Sequence, residues 1–237
     1  NNDGNKDLFI TNGYAKDFTD MDFIQYNVDR VVRQRRGEGV TSALEVVNKM
    51  PSVKLPNYIY ENHGQDHFAK RTIEWGLGQP GISSGAAYAD LDNDGDMDLV
   101  VNNINQEAFI YRNNAERLNP GNHFLRIKLA GSDKNTSGIG ARITVYCAKN
   151  AYVQEQLPVR GFQSSVDYVL NFGVGTNSVI DSVVIVWPDG RHQKLRDVKV
   201  NNEILFNWRD AAPGASAMQP VKSLFAELVA PSFVHRE

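Results

Sequence analysis

Short apolar runs, separated by Gly, Asn, Asp and Pro, follow one another along most of the chain, a pattern typical of strands joined by tight turns. In several runs apolar and polar positions alternate, which is typical of half-buried strands. The first half has runs at residues 85–90, 98–103 and 108–113. The second half has runs at residues 124–129, 141–146, 168–172, 183–187 and 203–208. The pattern predicts a mainly β protein.

Two stretches of the first half repeat. Residues 1–12 (NNDGNKDLFITN) and 92–103 (DNDGDMDLVVNN) are identical at six of twelve positions, and residues 58–62 (YIYEN) resemble 109–113 (FIYRN). The offsets are 91 and 51 residues, so the first copy carries 40 extra residues. A period near 50 with Asn- and Gly-rich turns is typical of β-propeller blades. Because two copies cannot close a propeller, we expect a fragment of a longer protein.

The insertion in the first copy, roughly residues 15–55, has a helical pattern instead. Apolar positions near residues 23–32 predict one amphipathic helix. Thr41 or Ser42 as N-cap and Pro51 as stop signal predict a second. The arginine cluster that follows the first helix is interpreted as a solvated face, because the chain as a whole is acidic.

The pattern changes again near residue 120, where strand-like runs continue without a comparable helical period. We therefore predict a repeat region over residues 1–119 and a β-sandwich-like domain over residues 120–209. Residues 210–237 are predicted to be a linker and the start of a further repeat, because residues 210–222 are rich in Ala, Pro, Gly and Ser.

Composition excludes several classes of protein. The 237 residues are 41% hydrophobic and 22% charged, which is ordinary for a globular protein, and the net charge of −3 provides no basic field for nucleic acid. No apolar run is long enough to be a transmembrane segment. The single cysteine, Cys147, excludes an internal disulfide. The sequence opens inside a repeat copy, without initiator Met, signal peptide or lipobox, which again indicates a piece of a longer protein.

An acidic run over residues 90–98 (DLDNDGDMD) is the strongest chemical signal. Its five carboxylates repel one another across a tight turn, and a divalent cation relieves this repulsion. Ca²⁺ takes about six to eight oxygens, and side chains at positions 1, 3 and 5 of a loop that turns at a glycine converge on one point. The predicted ligands are the side chains of Asp90, Asp92, Asp94 and Asp98 and the main-chain carbonyl of Asp96.

The run is not an EF-hand, because Val101 stands where the bidentate Glu belongs and the flanks are strand-like. We predict a strand, a calcium loop and a second strand. The first repeat copy has a weaker, truncated version, because its position 1 would precede the first residue. We expect that loop to bind metal weakly or not at all, with positions 3, 5, 7 and 9 occupied by Asn1, Asp3, Asn5 and Asp7.

Two other motifs have simpler structural interpretations. Residues 81–85 match the G-x-S-x-G pattern of a nucleophile elbow, but a strand follows rather than a helix, so Ser83 is interpreted as structural. His63 and His67 are four residues apart but lie in a polar loop and lack the glutamate of a zinc-binding helix. No catalytic residue is predicted.

The repeat and its acidic loop resemble the FG-GAP/VCBS repeat, the blade unit of integrin-like propellers. Residues from 122 to about 195 resemble the ASPIC/UnbV domain found in cartilage acidic protein and many bacterial surface proteins. The matching stretches are residues 138–142 (GIGAR), 161–165 (GFQSS), 171–175 (NFGVG) and 186–190 (VWPDG). The combination resembles large secreted or surface-anchored bacterial VCBS-repeat proteins.

This resemblance implies partial β-propeller blades with a small helical insertion, followed by a β-sandwich-like ASPIC/UnbV domain. We expect a non-enzymatic, calcium-stabilised binding or scaffold module that lies outside the cell or on its surface and binds a protein or glycan ligand. Two alternatives remain open. One is an accessory or catalytic component of a secreted polysaccharide-active or biosynthetic enzyme, and the other is an adhesion module that uses an exposed calcium.

Overall fold

The computed structural model describes residues 1–214, and over this range the protein is mainly β, as predicted. The strands of the repeat region are β1 (Leu8–Ile10), β2 (Leu55–Pro56), β3 (Tyr58–Asn62), β4 (Phe68–Lys70), β5 (Pro80–Gly81), β6 (Ser83–Ala89), β7 (Asp98–Asn103) and β8 (Phe109–Tyr111). The helices are α1 (Met21–Arg35), α2 (Ala43–Lys49) and α3 (Ala115–Leu118).

The second half contributes the remaining strands and one short 3-10 turn. The strands are β9 (His123–Ala130), β10 (Arg142–Cys147), β11 (Asn150–Glu155), β12 (Leu170–Gly175), β13 (Val179–Val186), β14 (His192–Lys199) and β15 (Asn202–Asn207), and the turn is Trp208–Asp210. No helix within residues 1–214 has the length and apolar character that a membrane crossing requires.

The two repeat copies form two separate three-stranded sheets, with strand orders β1-β3-β4 and β6-β7-β8. Their registers agree, because Leu8 lies opposite Tyr60 in the first copy and Leu99 lies opposite Tyr111 in the second. The internal repeat inferred from the sequence therefore corresponds to a structural repeat. Within residues 1–214 the sheets remain open and represent partial blades.

The helical insertion forms as predicted and stays near the surface. Ser42 caps α2 in a capping box, in which Glu45 N donates to its Oγ and its own N–H donates to Glu45. Phe23 is the buried residue of α1, and α2 has none. The two ends of the insertion lie close together, because Asp17 N donates to Pro51 O at 2.8 Å.

The main hydrophobic core lies inside a β-sandwich, as predicted for the second half. One sheet has the order β11-β10-β13-β14 and the other the order β12-β9-β15, with β15 parallel to β9. The side chains that fill the space between them include Leu125, Ile143, Phe172, Ile185 and Trp187, all at most 2% exposed. Burying each of these side chains stabilises the fold by about 1.5–3 kcal/mol.

The start of the predicted linker is attached to this sandwich. Ala211 is buried in the core, and Ala212 exchanges two backbone hydrogen bonds of 3.0 Å with His192. The rest of the predicted linker and the predicted further repeat, residues 215–237, lie outside the described residues.

Candidate metal centre

The acidic loop connects β6 to β7, so its flanks are strands, as predicted. One carboxylate oxygen from each of Asp90, Asp92 and Asp94 lies within 4.8 Å of the others. Oxygens bound to one Ca²⁺ at about 2.3–2.6 Å are at most about 5 Å apart, so this spacing fits a single cation. These three side chains, called the oxygen cluster below, could hold a metal ion.

Backbone hydrogen bonds to the acidic side chains hold the loop in shape. The Asp90 carboxylate accepts the N–H of Asp94 at 3.1 Å and of Gly95 at 3.0 Å. Asp94 Oδ1 in turn accepts the N–H of Asp96 at 3.0 Å. The loop is therefore formed by the same side chains that offer oxygens to a cation.

Asp98 lies outside the oxygen cluster and has a different set of partners. Its buried carboxylate accepts the N–H of Leu91 at 3.0 Å and of Asn113 at 2.7 Å. The bond to Asn113 has an equivalent in the first copy, where Asp7 Oδ1 accepts the N–H of Asn62 at 2.9 Å. In both copies this aspartate connects the loop to the end of the neighbouring strand of its sheet, which is β8 in the second copy and β3 in the first.

Asp96 belongs to a second acidic group that the sequence did not reveal. Its carboxylate accepts Asn2 Nδ2 at 2.8 Å and Glu116 N at 2.6 Å. Carboxylate oxygens of Asp94, Asp96 and Glu116 lie within 4.8 Å of one another. Arg117 Nε lies 2.8 Å and Arg112 Nη2 lies 3.6 Å from Glu116 Oε1, but within residues 1–214 neither buried oxygen of Glu116 accepts a hydrogen bond.

Burial raises the pKa of the Asp96 carboxyl from 3.8 to about 6, and the neighbouring Glu116 and Asp94 carboxyls add to the rise. Because the folded state binds this proton more tightly than the unfolded state, Asp96 makes the metal-free protein less stable as the pH rises from about 4 to 7. We expect the unfolding free energy of Asp96→Asn, relative to that of wild type, to rise by about 1–3 kcal/mol between pH 4.5 and pH 7.5. Denaturant unfolding in EDTA measures this difference, and a pH-independent difference would contradict the assignment.

Two arginines form ion pairs with carboxylates of the loop. Arg126 on β9 places Nη1 2.8 Å from Asp90 Oδ2, and the side chains are 11% and 2% exposed. Arg112 lies on the surface, with Nε 2.9 Å from Asp92 Oδ2 and Nη2 3.3 Å from Asp94 Oδ2. The expectation that a cation relieves the repulsion is therefore incomplete, because these guanidinium groups already relieve part of it.

The acidic loop is also a contact between the repeat region and the sandwich. Asn171 on β12 donates through Nδ2 to Gly95 O at 3.0 Å, and Arg126 on β9 reaches Asp90. Asn2, from the first loop, donates to the same Gly95 oxygen at 3.1 Å. The two loops therefore meet each other at the surface of the sandwich.

The first loop, with Asn1, Asp3, Asn5 and Asp7, contacts the sandwich as well. Gly175 N donates to Asn2 O at 2.9 Å, and Lys6 Nζ donates to Val153 O at 3.0 Å. Within residues 1–214 this loop brings no three acidic groups together. Its weak metal binding stays a prediction.

The two other motifs found in the sequence, at Ser83 and at His63 and His67, do not form a catalytic or metal site among residues 1–214. Ser83 is buried, and its Oγ donates to Asn103 Oδ1 at 2.7 Å and accepts Asn57 Nδ2 at 2.9 Å. The rings of His63 and His67 are 5.6 Å apart at a turn, and within residues 1–214 they join no cluster of metal-ligating side chains.

Propeller-type blades with an acidic turn, packed on a β-sandwich, define a repeat-bearing modular protein. Residues 1–101 match the model of the FG-GAP-like repeat, and residues 131–213 match that of the ASPIC and UnbV family. The chain thus carries an FG-GAP-like repeat followed by an ASPIC/UnbV domain, which confirms the resemblance inferred from its motifs. FG-GAP repeats are typical of extracellular proteins. No curated protein matches the chain.

Proposed function

We propose that the chain is a calcium-stabilised, non-enzymatic binding or scaffold module of an extracellular repeat protein. The observation that carries this proposal is the oxygen cluster of Asp90, Asp92 and Asp94, located where the repeat region meets the sandwich. A cation held there neutralises part of the charge of these three carboxylates. Because it binds only where the three oxygens converge, it favours the folded state.

Calcium is the metal that suits this donor set. The cluster offers carboxylate oxygens alone, with no histidine or cysteine, and hard oxygen ligands are preferred by Ca²⁺ and Mg²⁺ rather than by zinc. Ca²⁺ tolerates irregular coordination, whereas Mg²⁺ requires nearly octahedral geometry and keeps several waters. Because a tight turn fixes where these three oxygens lie, the metal that tolerates irregular coordination, calcium, is the one we assign to this cluster.

The residues of the chain prepare this site in different ways. Arg126 fixes the Asp90 carboxylate from the sandwich side, and Asp98 fixes the end of the loop against Asn113. Arg112 holds the exposed Asp92 and must share this carboxylate with a bound cation. The module would therefore be partly assembled without metal and become more stable when calcium binds.

A non-enzymatic role is supported by how the candidate catalytic groups are used. Ser83 Oγ is held between two amide side chains inside the blade, without a base beside it among the described residues. The Asp90 and Asp98 carboxylates are anchored by Arg126 and by backbone N–H groups, which supports a structural role for both.

Thermal unfolding with calcium and with EDTA tests the proposal. With a dissociation constant of about 10⁻⁴–10⁻³ M, about 10 mM calcium should stabilise the fold by about 1.4–2.7 kcal/mol. For a protein of this size the melting temperature should rise by about 3–10 °C. Magnesium at the same concentration is the matched control and should give a smaller rise. Equal melting temperatures in calcium and EDTA, with no metal found by elemental analysis, would reject the calcium role.

A further inference from the structure

The outer edge of β8 lacks the strand that covers its counterpart in the first repeat copy. β3 lies between β1 and β4, whereas β8 ends its sheet and, among residues 1–214, pairs with β7 alone. The two strands are equivalent because Phe9 lies opposite Ile59 and Val100 lies opposite Ile110. The second blade is therefore one strand short on this side.

The first copy shows what a covering segment supplies. Ile59 on β3 donates its N–H to Thr72 Oγ1 at 3.2 Å and accepts Arg71 N at its carbonyl at 2.9 Å. The shared register directs the N–H and C=O of Ile110 to the corresponding side of β8. No segment among residues 1–214 covers that side, and Ile110 is 70% exposed.

A groove of about 400 Å³ follows the uncovered edge. Residues 106–111 and Gln79 line it, and no residue of β7 does. Among residues 1–214, two lining residues contain a buried polar atom without a hydrogen-bond partner, Gln106 Oε1 and Tyr111 Oη. Because both atoms are closed to solvent, the polar groups that a ligand in this groove reaches are the outward N–H and C=O of Ile110.

We propose that the outer edge of β8 is a docking site for an extended peptide segment of a partner protein, which adds a strand to the second blade. Main-chain hydrogen bonds supply the affinity in this mode of recognition. The inference rests on the proposed binding role and names its class of partner. Residues 65–74 (QDHFAKRTIE), which contain β4, are the template for the occupant because they cover the equivalent edge of β3.

A synthetic fluorescent peptide of residues 65–74 provides the probe. Titrated with the 237-residue chain, it should show saturable anisotropy with a dissociation constant below about 1 mM. The same peptide with Arg71→Pro lacks the N–H that pairs with the strand carbonyl, so it should bind about tenfold more weakly. Absence of binding, or equal binding of the two peptides, would overturn the proposal.

Matched variants of the protein locate the site. Ile110→Pro removes the N–H that faces the groove, so peptide affinity should fall about tenfold, whereas the melting temperature should change little because an edge strand tolerates proline where its N–H faces outward. Ile110→Ala keeps this N–H and is the control, with a peptide affinity within about twofold of wild type. Unchanged affinity in Ile110→Pro would place the peptide elsewhere and overturn the proposal.

Three further outcomes have separate meanings. A concentration-dependent dimer in sedimentation that Ile110→Pro abolishes would assign the edge to a second copy and overturn docking of a partner protein. Peptide binding without a calcium-induced rise in melting temperature would reject the calcium role alone. A calcium-induced rise without peptide binding would reject this inference alone.

Discussion

Asp90→Ala is expected to lower the unfolding free energy of the EDTA-treated protein by about 3–5 kcal/mol. The substitution breaks a buried ion pair, because Asp90 is 2% exposed and Arg126 Nη1 lies 2.8 Å from it. The guanidinium would keep Glu203, at 3.2 Å from Nη2, and the neutral acceptor Asn93 Oδ1, at 3.3 Å from Nη1. The N–H groups of Asp94 and Gly95 would also lose their acceptor. Denaturant unfolding in EDTA measures the loss.

Asp92→Ala is the matched control, because it removes an oxygen from the same cluster without breaking a buried pair. Asp92 is 37% exposed and its partner Arg112 is 49% exposed, and such surface pairs contribute about 0–1 kcal/mol. In EDTA the unfolding free energies of the two variants should therefore differ by about 2–5 kcal/mol. The calcium-induced rise in melting temperature should shrink in both. Similar stabilities of the two variants in EDTA would contradict the structural role of Asp90.

The comparison separates two functions that one motif combines. A residue that only binds metal changes the calcium response, whereas a residue that also connects the two domains changes stability without metal. Asp90 contacts both the loop and β9 of the sandwich, whereas within residues 1–214 the ion-pair partner of Asp92 lies in the repeat region. The acidic loop is thus a structural contact between domains whose strength calcium is expected to adjust.

Local patterns were sufficient to predict most of the fold. The repeat offset located the insertion, and the N-cap signal located α2, because a helix start depends on residues three positions apart. The short strands β2, β4 and β5 were missed in the repeat region, and β11 and β14 were missed in the sandwich. Strands β11 and β14 are edges of the same sheet and have a polar sequence, since an edge strand buries fewer side chains and often carries charges that discourage further pairing.

The partners of the acidic loop could not be predicted from spacing. Arg126 lies 36 positions from Asp90, and no periodic rule connects them. One signal was available in the repeat itself: Arg112 replaces Glu61 at the equivalent position of the copy whose loop has more acids. Such a charge exchange between copies indicates that the position faces the loop, and the salt bridge of Arg112 to Asp92 agrees with it.

The contact between loop and sandwich also depends on the glycine of the loop. A Cβ on Gly95 would lie 2.0 Å from Phe124 Cε1 on β9, and the backbone φ of +95° disfavours any side chain. Gly95→Ala is expected to cost about 2–5 kcal/mol, of which about 1–2 kcal/mol comes from the left-handed backbone and about 1–3 kcal/mol from overpacking. Denaturant unfolding in EDTA and in calcium measures the total.

Gly76→Ala isolates the backbone part of this cost. Gly76 has a φ of +78°, but its added Cβ would meet no heavy atom within 4 Å, so the loss should stay near 1–2 kcal/mol. The double variant Gly95→Ala with Phe124→Ala should be less destabilised than the sum of its single variants, because removing the ring relieves the clash. Equal losses at Gly95 and Gly76, or additive effects in the double variant, would show that the loop does not press against the sandwich.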